Sequence, residues 1–191
     1  MKIVRRTFAR KLTIAVVAVI AIAGSALAAI HRNNNFHAIV DGEAYRSGQP
    51  SADEIRTYRE KYHIATIINL RGKSDGQAWY DAEVRTANEL GIRHIDFPMS
   101  ARKELTQARS LALIAVMKSA PKPILIHCRA GSDRAGLASA LYLAALAKAG
   151  EETSEMQLSI RFGHFAIPVV GTYGMDETFE AMEPLLGFFG S

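Results

Sequence analysis

A cysteine and an arginine, separated by five residues, lie where the sequence pattern changes from strand to helix. The segment reads His127-Cys128-Arg129-Ala130-Gly131-Ser132-Asp133-Arg134. The apolar run over residues 124–127 predicts a short buried strand, and the Ala- and Leu-rich run that follows predicts a helix. A loop at such a junction turns backbone N–H groups into one hollow at the positive end of the helix dipole, which suits a doubly charged anion. The sequence therefore predicts a phosphate site in this loop.

The residue types in the loop suit phosphate chemistry. Cys128 supplies a nucleophilic sulfur, and the surrounding amides and guanidinium favour its thiolate form. Arg134 can donate two parallel hydrogen bonds to two phosphate oxygens, and Gly131 lets the backbone approach the anion. We expect Cys128 and Arg134 to be catalytic. The predicted phosphate-binding residues are Arg129, Ala130, Gly131, Ser132, Asp133 and Arg134.

The expected reaction is an in-line attack of Cys128 on phosphorus, which gives a phosphocysteine. An acid protonates the departing oxygen, and water then releases phosphate. This chemistry requires no metal and no cofactor, and the six histidines show no metal-ligand spacing. A single cysteine at a strand end can also be a small buried hydrophobe. The joint spacing of cysteine, glycine and arginine favours the phosphate interpretation.

This segment resembles the signature of the cysteine-dependent protein tyrosine phosphatase superfamily, which is His-Cys, five residues and Arg. Three further motifs resemble the compact bacterial dual-specificity-like phosphatases: Tyr-Arg-Ser-Gly-Gln-Pro at 45–50, Asn-Leu-Arg at 69–71 and Gly-His at 163–164. The resemblance covers residues 36–166, roughly. It implies a single α/β domain, phosphomonoester hydrolysis and no cofactor.

The sequence departs from that family at the general acid. The family supplies an Asp from a loop before a long helix, but residues 97–104 contain none. Asp133, inside the signature itself, is the preferred candidate, and Glu104 and Asp96 are alternatives. Each also has an ordinary explanation, as a helix N-terminal carboxylate, a solvated first-turn charge and a strand-end acceptor respectively.

A second departure lies directly after the signature arginine. The family usually has Ser or Thr there, and its hydroxyl helps to stabilise the thiolate that leaves the phosphoenzyme. This chain has Ala135. We therefore expect slower breakdown of the phosphocysteine.

Strand and helix patterns alternate along the chain. Strands are predicted at 44–46, 64–70, 94–97 and 124–127, and helices at 51–63, 79–90, 105–120, 134–149, 154–162 and 176–186. Ser51 with Glu54, and Ser154 with Gln157, have the spacing of helix caps. This order predicts an α/β fold, a single domain with a central, mostly parallel sheet flanked by helices. Ligands bind such sheets at the carboxyl ends of the strands.

The first 30 residues have the composition of an export signal. Five basic residues precede an uncharged run over residues 12–30, which contains the small-x-small sequence Ala26-Leu27-Ala28. Residues 1–30 are predicted to be a signal peptide or an uncleaved signal anchor, 31–36 a linker, and 37–191 the phosphatase domain. We therefore expect an exported protein, periplasmic or anchored in the inner membrane through residues 12–30, with the catalytic domain outside the cytoplasm.

Composition limits the remaining function classes. The net charge of +4 comes from 23 Lys and Arg against 19 Asp and Glu, but five of the basic residues lie in the first 11 positions. The remaining domain is nearly neutral, which argues against nucleic-acid binding. One cysteine permits no internal disulfide and no resolving thiol. The expected substrate is a phosphorylated protein or a small phosphomonoester. A phosphoinositide or other non-protein phosphatase and a catalytically weak phosphate-binding module are the alternatives.

Overall fold

The computed structural model describes residue 17, residues 33–168 and residues 171–189. The chain divides into two compact units, Met1–Asn33 and Asn34–Ser191. The predicted signal sequence, apart from Val17, lies outside the described residues. Among the residues that are described, no helix has the length and apolar character needed to cross a bilayer.

The described part of the second unit contains five strands and six α-helices. The strands are β1 (His37–Val40), β2 (Ala44–Ser47), β3 (Thr66–Asn69), β4 (Arg93–Asp96) and β5 (Ile124–His127). The helices are α1 (Ala52–Tyr62), α2 (Ala78–Glu89), α3 (Gln107–Ser119), α4 (Asp133–Ala145), α5 (Glu151–Glu155) and α6 (Gly174–Leu186). Two short 3₁₀ helices, Ile160–Phe162 and Gly171–Tyr173, lie between α5 and α6.

The strands form one sheet in the order β1-β2-β5-β3-β4. Strand β1 pairs antiparallel with β2, while β2, β5, β3 and β4 are all parallel. The predicted mostly parallel sheet is confirmed. The antiparallel edge strand β1 was not predicted, because four residues with half-buried side chains give a weak alternation signal.

Helices cover both faces of the sheet, as predicted. On β5, Ile124 and Ile126 belong to one hydrophobic core and Leu125 to another, because successive side chains of a strand point to opposite faces. Helices α3, α4 and α6 pack in the first core, and α1 and α2 in the second. The central helix α4 is almost entirely buried, which explains its Ala- and Leu-rich composition.

Local sequence determines the helix ends well at α1. The Ser51 hydroxyl accepts the Glu54 N–H, and the Glu54 carboxylate accepts the Ser51 N–H, so the predicted capping box is present. The helix ends at His63 in the left-handed conformation. It buries Ile55 and Tyr58 against the second core.

The predicted cap at Ser154 is wrong. Gly150 precedes the first turn of α5, and Ser154 lies within this helix, with its hydroxyl donating to the Gly150 carbonyl at 2.9 Å. A Ser side chain bonded back to the fourth preceding carbonyl cannot cap the next turn. The chain then leaves the helix at Met156. Helix α4 also ends at Ala145 rather than at the predicted residue 149.

Candidate active site

The carboxyl ends of the four parallel strands meet at one edge of the sheet. The loop from Cys128 to Ser132 joins β5 to α4 at this edge, and Asp133 and Arg134 begin α4. The structure therefore places all the predicted signature residues together at the helix N-terminus. This is the geometry expected of an anion site.

The fully buried Arg46 of β2 supports this loop from behind. Its Nη2 donates to the carbonyls of Gly131 and Ser132 at 2.6 and 3.0 Å. Its Nη1 donates to the backbone and side-chain oxygens of Gln157, both at 2.9 Å, and its guanidinium stacks on Phe162. Burial lowers the pKa of Arg46 to about 10, so the guanidinium stays charged at neutral pH.

Two further donors bind the outer side of the loop. Asn35 Nδ2 donates to the Ala130 carbonyl at 3.1 Å, and the Gln49 N–H donates to the Arg129 carbonyl at 3.2 Å. The C=O and N–H of a trans peptide point in opposite directions. Because the carbonyls of residues 129–132 face outward, the N–H groups of residues 130–133 face the hollow.

The sulfur of Cys128 lies in that hollow. The Gly131 N–H donates to Cys128 Sγ at 3.2 Å, and the cysteine is 2% exposed. Gly131 has a φ of +74°, and a Cβ atom there would lie 2.7 Å from the backbone of Ser47 and of Gly48. Glycine is therefore required at position 131 both for its conformation and for its close contact with the end of β2.

Arg134 turns one edge of its guanidinium away from the anion hollow. Its Nη1 donates to the carbonyls of Leu70 and Met99, both at 3.3 Å. Its Nε–H is buried and has no acceptor among the described residues. The Nε and Nη2 groups form the edge that can bind two oxygens of one phosphate.

A buried carboxylate, Glu83 of α2, organises the residue before the nucleophile. Its Oε1 accepts from His94 Nε2 at 2.7 Å and from His127 Nε2 at 3.1 Å, and its Oε2 accepts from Gln49 Nε2. Burial raises the pKa of Glu83, but the hydrogen bonds from His127, His94 and Gln49 outweigh burial and lower it to about 2. Glu83 thus holds the side chain of His127, the residue before the nucleophile.

The preferred general acid, Asp133, is engaged with a histidine. His164 is buried, and its Nδ1 lies 2.8 Å from Asp133 Oδ1 while its Nε2 lies 2.9 Å from Asp176 Oδ2. Burial lowers the pKa of His164, but its hydrogen bonds to Asp133 and Asp176 outweigh this and raise it. This cluster ties the first turn of α4 to the first turn of α6.

The two alternative acids lie in different surroundings. Asp96, at the end of β4, accepts from Asn69 Nδ2 at 2.8 Å and from the Tyr80 hydroxyl at 2.5 Å. Glu104 is exposed on the segment before α3, beside the backbone of Gly174. The Asp96 carboxylate thus already accepts two hydrogen bonds, whereas Glu104 lies on an exposed segment.

Sequence reasoning missed three residues that bind the loop. Arg46 and Gln49 lie in the motif at 45–50, which was recognised only as a family resemblance, and the composition of residues 31–36 predicted a linker that includes Asn35. Their partners within the loop are distant in sequence, and Asn35 and Ala130 lie 95 residues apart. An arginine within the predicted strand at 44–46 was the one local signal for Arg46.

The chain is similar to known proteins in sequence and in fold. A family model described as Swiss Army Knife protein, DSP-PTPase phosphatase domain (PTP-SAK), matches residues 33–164. Dual specificity protein phosphatase TpbA of Pseudomonas aeruginosa (strain UCBPP-PA14) is 26% identical over 100 residues, which are 51% of this chain and 41% of TpbA. The match thus covers less than half the length of that relative.

Solved structures share the fold. The crystal structure of P. aeruginosa TpbA has a TM-score of 0.61 at 20% identity and covers 77% of this chain and 84% of that chain. A cysteine-to-serine variant of TpbA in complex with phosphotyrosine has a TM-score of 0.61 at 17% identity and covers 81% and 91% respectively. The family match extends over more than half of the chain and includes the whole signature loop. This chain therefore belongs to the PTP-SAK family of dual-specificity phosphatase domains, within the cysteine-dependent protein tyrosine phosphatase superfamily.

Proposed function

We propose that the chain hydrolyses phosphotyrosine in proteins, or another accessible phosphomonoester, through a phosphocysteine on Cys128. The observation that carries this proposal is the buried Nε–H of Arg134, which has no acceptor among the described residues. A buried donor left unpaired is costly, and a phosphate oxygen would satisfy it. The Gly131 N–H on the Cys128 sulfur places the nucleophile in the same hollow.

The proposed reaction has two steps. The Cys128 thiolate attacks phosphorus, so that an S–P bond forms while the bond from phosphorus to the leaving oxygen breaks. Arg134 and the N–H groups of residues 130–133 bind the equatorial oxygens, whose charge is spread in the transition state. Water then attacks the phosphocysteine, which releases inorganic phosphate and restores the thiolate.

Asp133 is the proposed general acid, and its contact with His164 makes this assignment testable. A general acid must donate a proton, whereas Asp133 accepts a hydrogen bond from a histidine that also binds Asp176. Glu104, on the exposed segment before α3, is the competing candidate. The two residues differ in position, so isosteric variants of each give a direct comparison.

The test uses two leaving groups. Phenyl phosphate needs a proton on its departing oxygen, whereas p-nitrophenyl phosphate has a good leaving group and needs little help. If Asp133 is the acid, Asp133→Asn lowers kcat/KM for phenyl phosphate by about 100-fold more than for p-nitrophenyl phosphate. The matched variant Glu104→Gln then leaves the ratio of the two kcat/KM values unchanged. The reverse pattern would assign the role to Glu104.

The cysteine mechanism is tested with the full chain in a non-ionic detergent, with reductant and without added metal. We expect phosphate release from p-nitrophenyl phosphate and phosphotyrosyl peptides by the wild type and none by Cys128→Ser. Hydrolysis that survives in Cys128→Ser would contradict the proposal. If the wild type binds vanadate but releases no phosphate, a phosphate-binding module becomes the better description.

We propose further that residues 1–30 export the phosphatase domain, to which Asn34 and Asn35 of the predicted linker contribute contacts. The basic residues followed by the uncharged run at 12–30 support this assignment. Export would place the domain in the periplasm, free after cleavage or held at the inner membrane by residues 12–30. Protease accessibility in spheroplasts tests export, and the N-terminal mass of the mature chain distinguishes cleavage from anchorage.

A further inference from the structure

Arg71 lies beside the phosphate loop, and the proposed reaction does not use it. It follows Leu70, whose carbonyl accepts a hydrogen bond from Arg134. The Arg71 N–H donates to Asn69 Oδ1 at 2.9 Å, which fixes the backbone at the end of β3. The side chain therefore starts from a rigid position at the carboxyl edge of the sheet.

Two contacts also fix the guanidinium of Arg71. Its carbon lies 3.4 Å from the centroid of the Trp79 ring, and its Nη1 donates to Gln49 Oε1 at 2.7 Å. Gln49 is itself bound to the buried Glu83 through its Nε2 and to the Arg129 carbonyl through its N–H. A long side chain held in this way loses little conformational freedom when it binds a ligand.

Two other arginines, Arg134 and Arg129, act on Arg71 through their charge. Burial lowers its pKa, and the charges of Arg134 and Arg129 lower it further. Among the described residues, no carboxylate forms an ion pair with any of these three arginines. The negative charges of Glu83 and Cys128 act on Arg71 in the opposite sense but more weakly, and like charges brought together are destabilising. An anion bound beside the loop would remove this repulsion.

One phosphate group does not account for the arrangement. The N–H groups of residues 130–133 and the free edge of Arg134 already supply the donors that one phosphate needs. Arg71 follows the end of β3 and does not belong to the loop. Its Nη1 donates to Gln49, and its Nε and Nη2 are the donors left for a ligand. Arg129 is exposed, and its charge also acts on Arg71.

We propose that Arg71 is a specificity-determining residue that binds a second phosphate group of the substrate, next to the phosphate that Cys128 attacks. This inference rests on the proposed function and narrows its substrate class to molecules with two neighbouring phosphate groups. The second group can be joined through a phosphoanhydride or carried on a neighbouring carbon. The chemistry that Arg71 recognises is the same in both cases.

The test measures equilibrium binding to the full chain carrying Cys128→Ser, by calorimetry in detergent. Inorganic pyrophosphate is compared with inorganic phosphate, and 2,3-bisphosphoglycerate with 3-phosphoglycerate. The first pair represents an anhydride and the second a neighbouring monoester. In at least one pair we expect the doubly phosphorylated probe to bind about tenfold more tightly, as one added charge-assisted hydrogen bond would give.

The same measurement is repeated with Arg71→Gln added. The affinity ratio between the doubly and singly phosphorylated probes should fall to about twofold or less, because the neutral amide of Gln lacks the charge and the paired N–H donors of a guanidinium. Arg93→Gln is the matched control, because Arg93 is exposed at the amino end of β4, on the opposite edge of the sheet. It should keep the full preference. Binding of inorganic phosphate by each variant confirms that its loop is folded.

Two other outcomes are distinguishable. If the wild type hydrolyses p-nitrophenyl phosphate but no doubly phosphorylated probe binds more tightly, or the preference survives Arg71→Gln, the second subsite is overturned and the proposed function stands. If the wild type hydrolyses nothing and Cys128→Ser does not bind phosphate, the proposed function fails, and the substrate class inferred for Arg71 fails with it.

Discussion

At position 135 the first turn of α4 carries a methyl group, where related phosphatases usually carry a hydroxyl. Ala135 is fully buried and packs in the same core as Cys128. The sulfur that leaves the phosphocysteine therefore receives its hydrogen bond from the Gly131 N–H. A single hydrogen-bond donor stabilises a leaving thiolate less than two donors do.

We predict that Ala135→Ser accelerates phosphoenzyme breakdown. A hydrogen bond to a charged group is worth about 1.5 kcal/mol, which corresponds to a roughly tenfold higher rate. Rapid-quench assays with p-nitrophenyl phosphate would show a smaller burst and a higher steady-state rate. An unchanged steady-state rate with an unchanged burst would contradict this prediction.

Gly131→Ala should disrupt the loop for two reasons that can be separated. The φ of +74° is strained for alanine, and the new Cβ atom would lie 2.7 Å from the end of β2. Gly76 has a similar φ of +81°, but a Cβ atom at that position would have no neighbour within 4 Å. Gly76→Ala is therefore the matched control for strain alone.

The expected results differ in size and kind. Gly76→Ala should cost about 1 kcal/mol of unfolding free energy and leave activity unchanged. Gly131→Ala should cost about 1–3 kcal/mol more, because backbone must move, and should abolish phosphate release. Urea unfolding and a p-nitrophenyl phosphate assay measure both quantities. Equal costs for the two variants would show that the contact with β2 is not tight.

Sequence predicts residues of the site when they are close together in the chain. Cys128, Gly131 and Arg134 lie within seven consecutive residues, so their spacing alone identified them. Arg46 and Asn35 bind the same loop across many intervening residues, and their contacts depend on how strands pair. No local pattern encodes such contacts.

At the level of elements, His164 connects two helices through their first turns. Asp133 belongs to α4 and Asp176 to α6, and each accepts from one ring nitrogen. Because Asp133 precedes Arg134, the position of α6 is coupled to the start of the catalytic helix. His164 is 1% exposed, so the connecting ring is buried.

We predict that His164 makes stability depend on pH. Its pKa is raised above 6.5, so its charged form contributes stability that is fully present below pH 6.5 and is lost as the pH rises through the folded-state pKa. The difference in unfolding free energy between wild type and His164→Gln should therefore shrink between about pH 6 and about pH 9. Urea unfolding across that range measures it.

His37 provides a control of opposite sign. Burial lowers its pKa, as do the charges of Arg46 and Arg161, so the stability it contributes is lost as the pH falls below 6.5. The difference in unfolding free energy between wild type and His37→Gln should thus become smaller as the pH falls. A pH-independent difference for His164→Gln would contradict its charged state.

Elements were predicted with uneven success, for physical reasons. The apolar runs predicted β3 and β5, and the capping box predicted the start of α1, because these signals are local. The short edge strand β1 owes its existence to pairing with β2. Gln157 was expected to cap a helix, but its backbone and side-chain oxygens both accept from Arg46. A distant buried arginine outweighed a local propensity there.

At the level of the whole molecule, the described part of the chain is organised around a single sheet with one core on each face. Residues 34 and 35 belong to this unit. Asn34 Nδ2 donates to the Gln49 carbonyl at 2.8 Å, and Asn35 Nδ2 donates to the carbonyls of Ala130 and Phe162. The polar run before β1 therefore holds the phosphate loop.

We predict that residues 31–191 fold and hydrolyse p-nitrophenyl phosphate, whereas residues 36–191 do so less well. The shorter chain keeps Phe36, whose ring stacks on Tyr58 at 4.2 Å, but loses the contacts of Asn34 and Asn35. Loss of these hydrogen bonds, of which the one to the Phe162 carbonyl is buried, should cost about 2–4 kcal/mol in total. Urea unfolding and phosphate affinity of the two chains test this, and equal values would contradict it.

Cys128 is the one cysteine of the chain, and its sulfur is almost completely enclosed. Peroxide would convert its thiolate to a sulfenic acid, which a neighbouring thiol can trap as a reversible disulfide in proteins that have one. This chain has no second thiol, so the sulfenic acid must be captured by a backbone nitrogen or by a thiol from outside before it is oxidised irreversibly. Recovery from oxidative damage therefore depends on reductants small enough to enter the phosphate hollow.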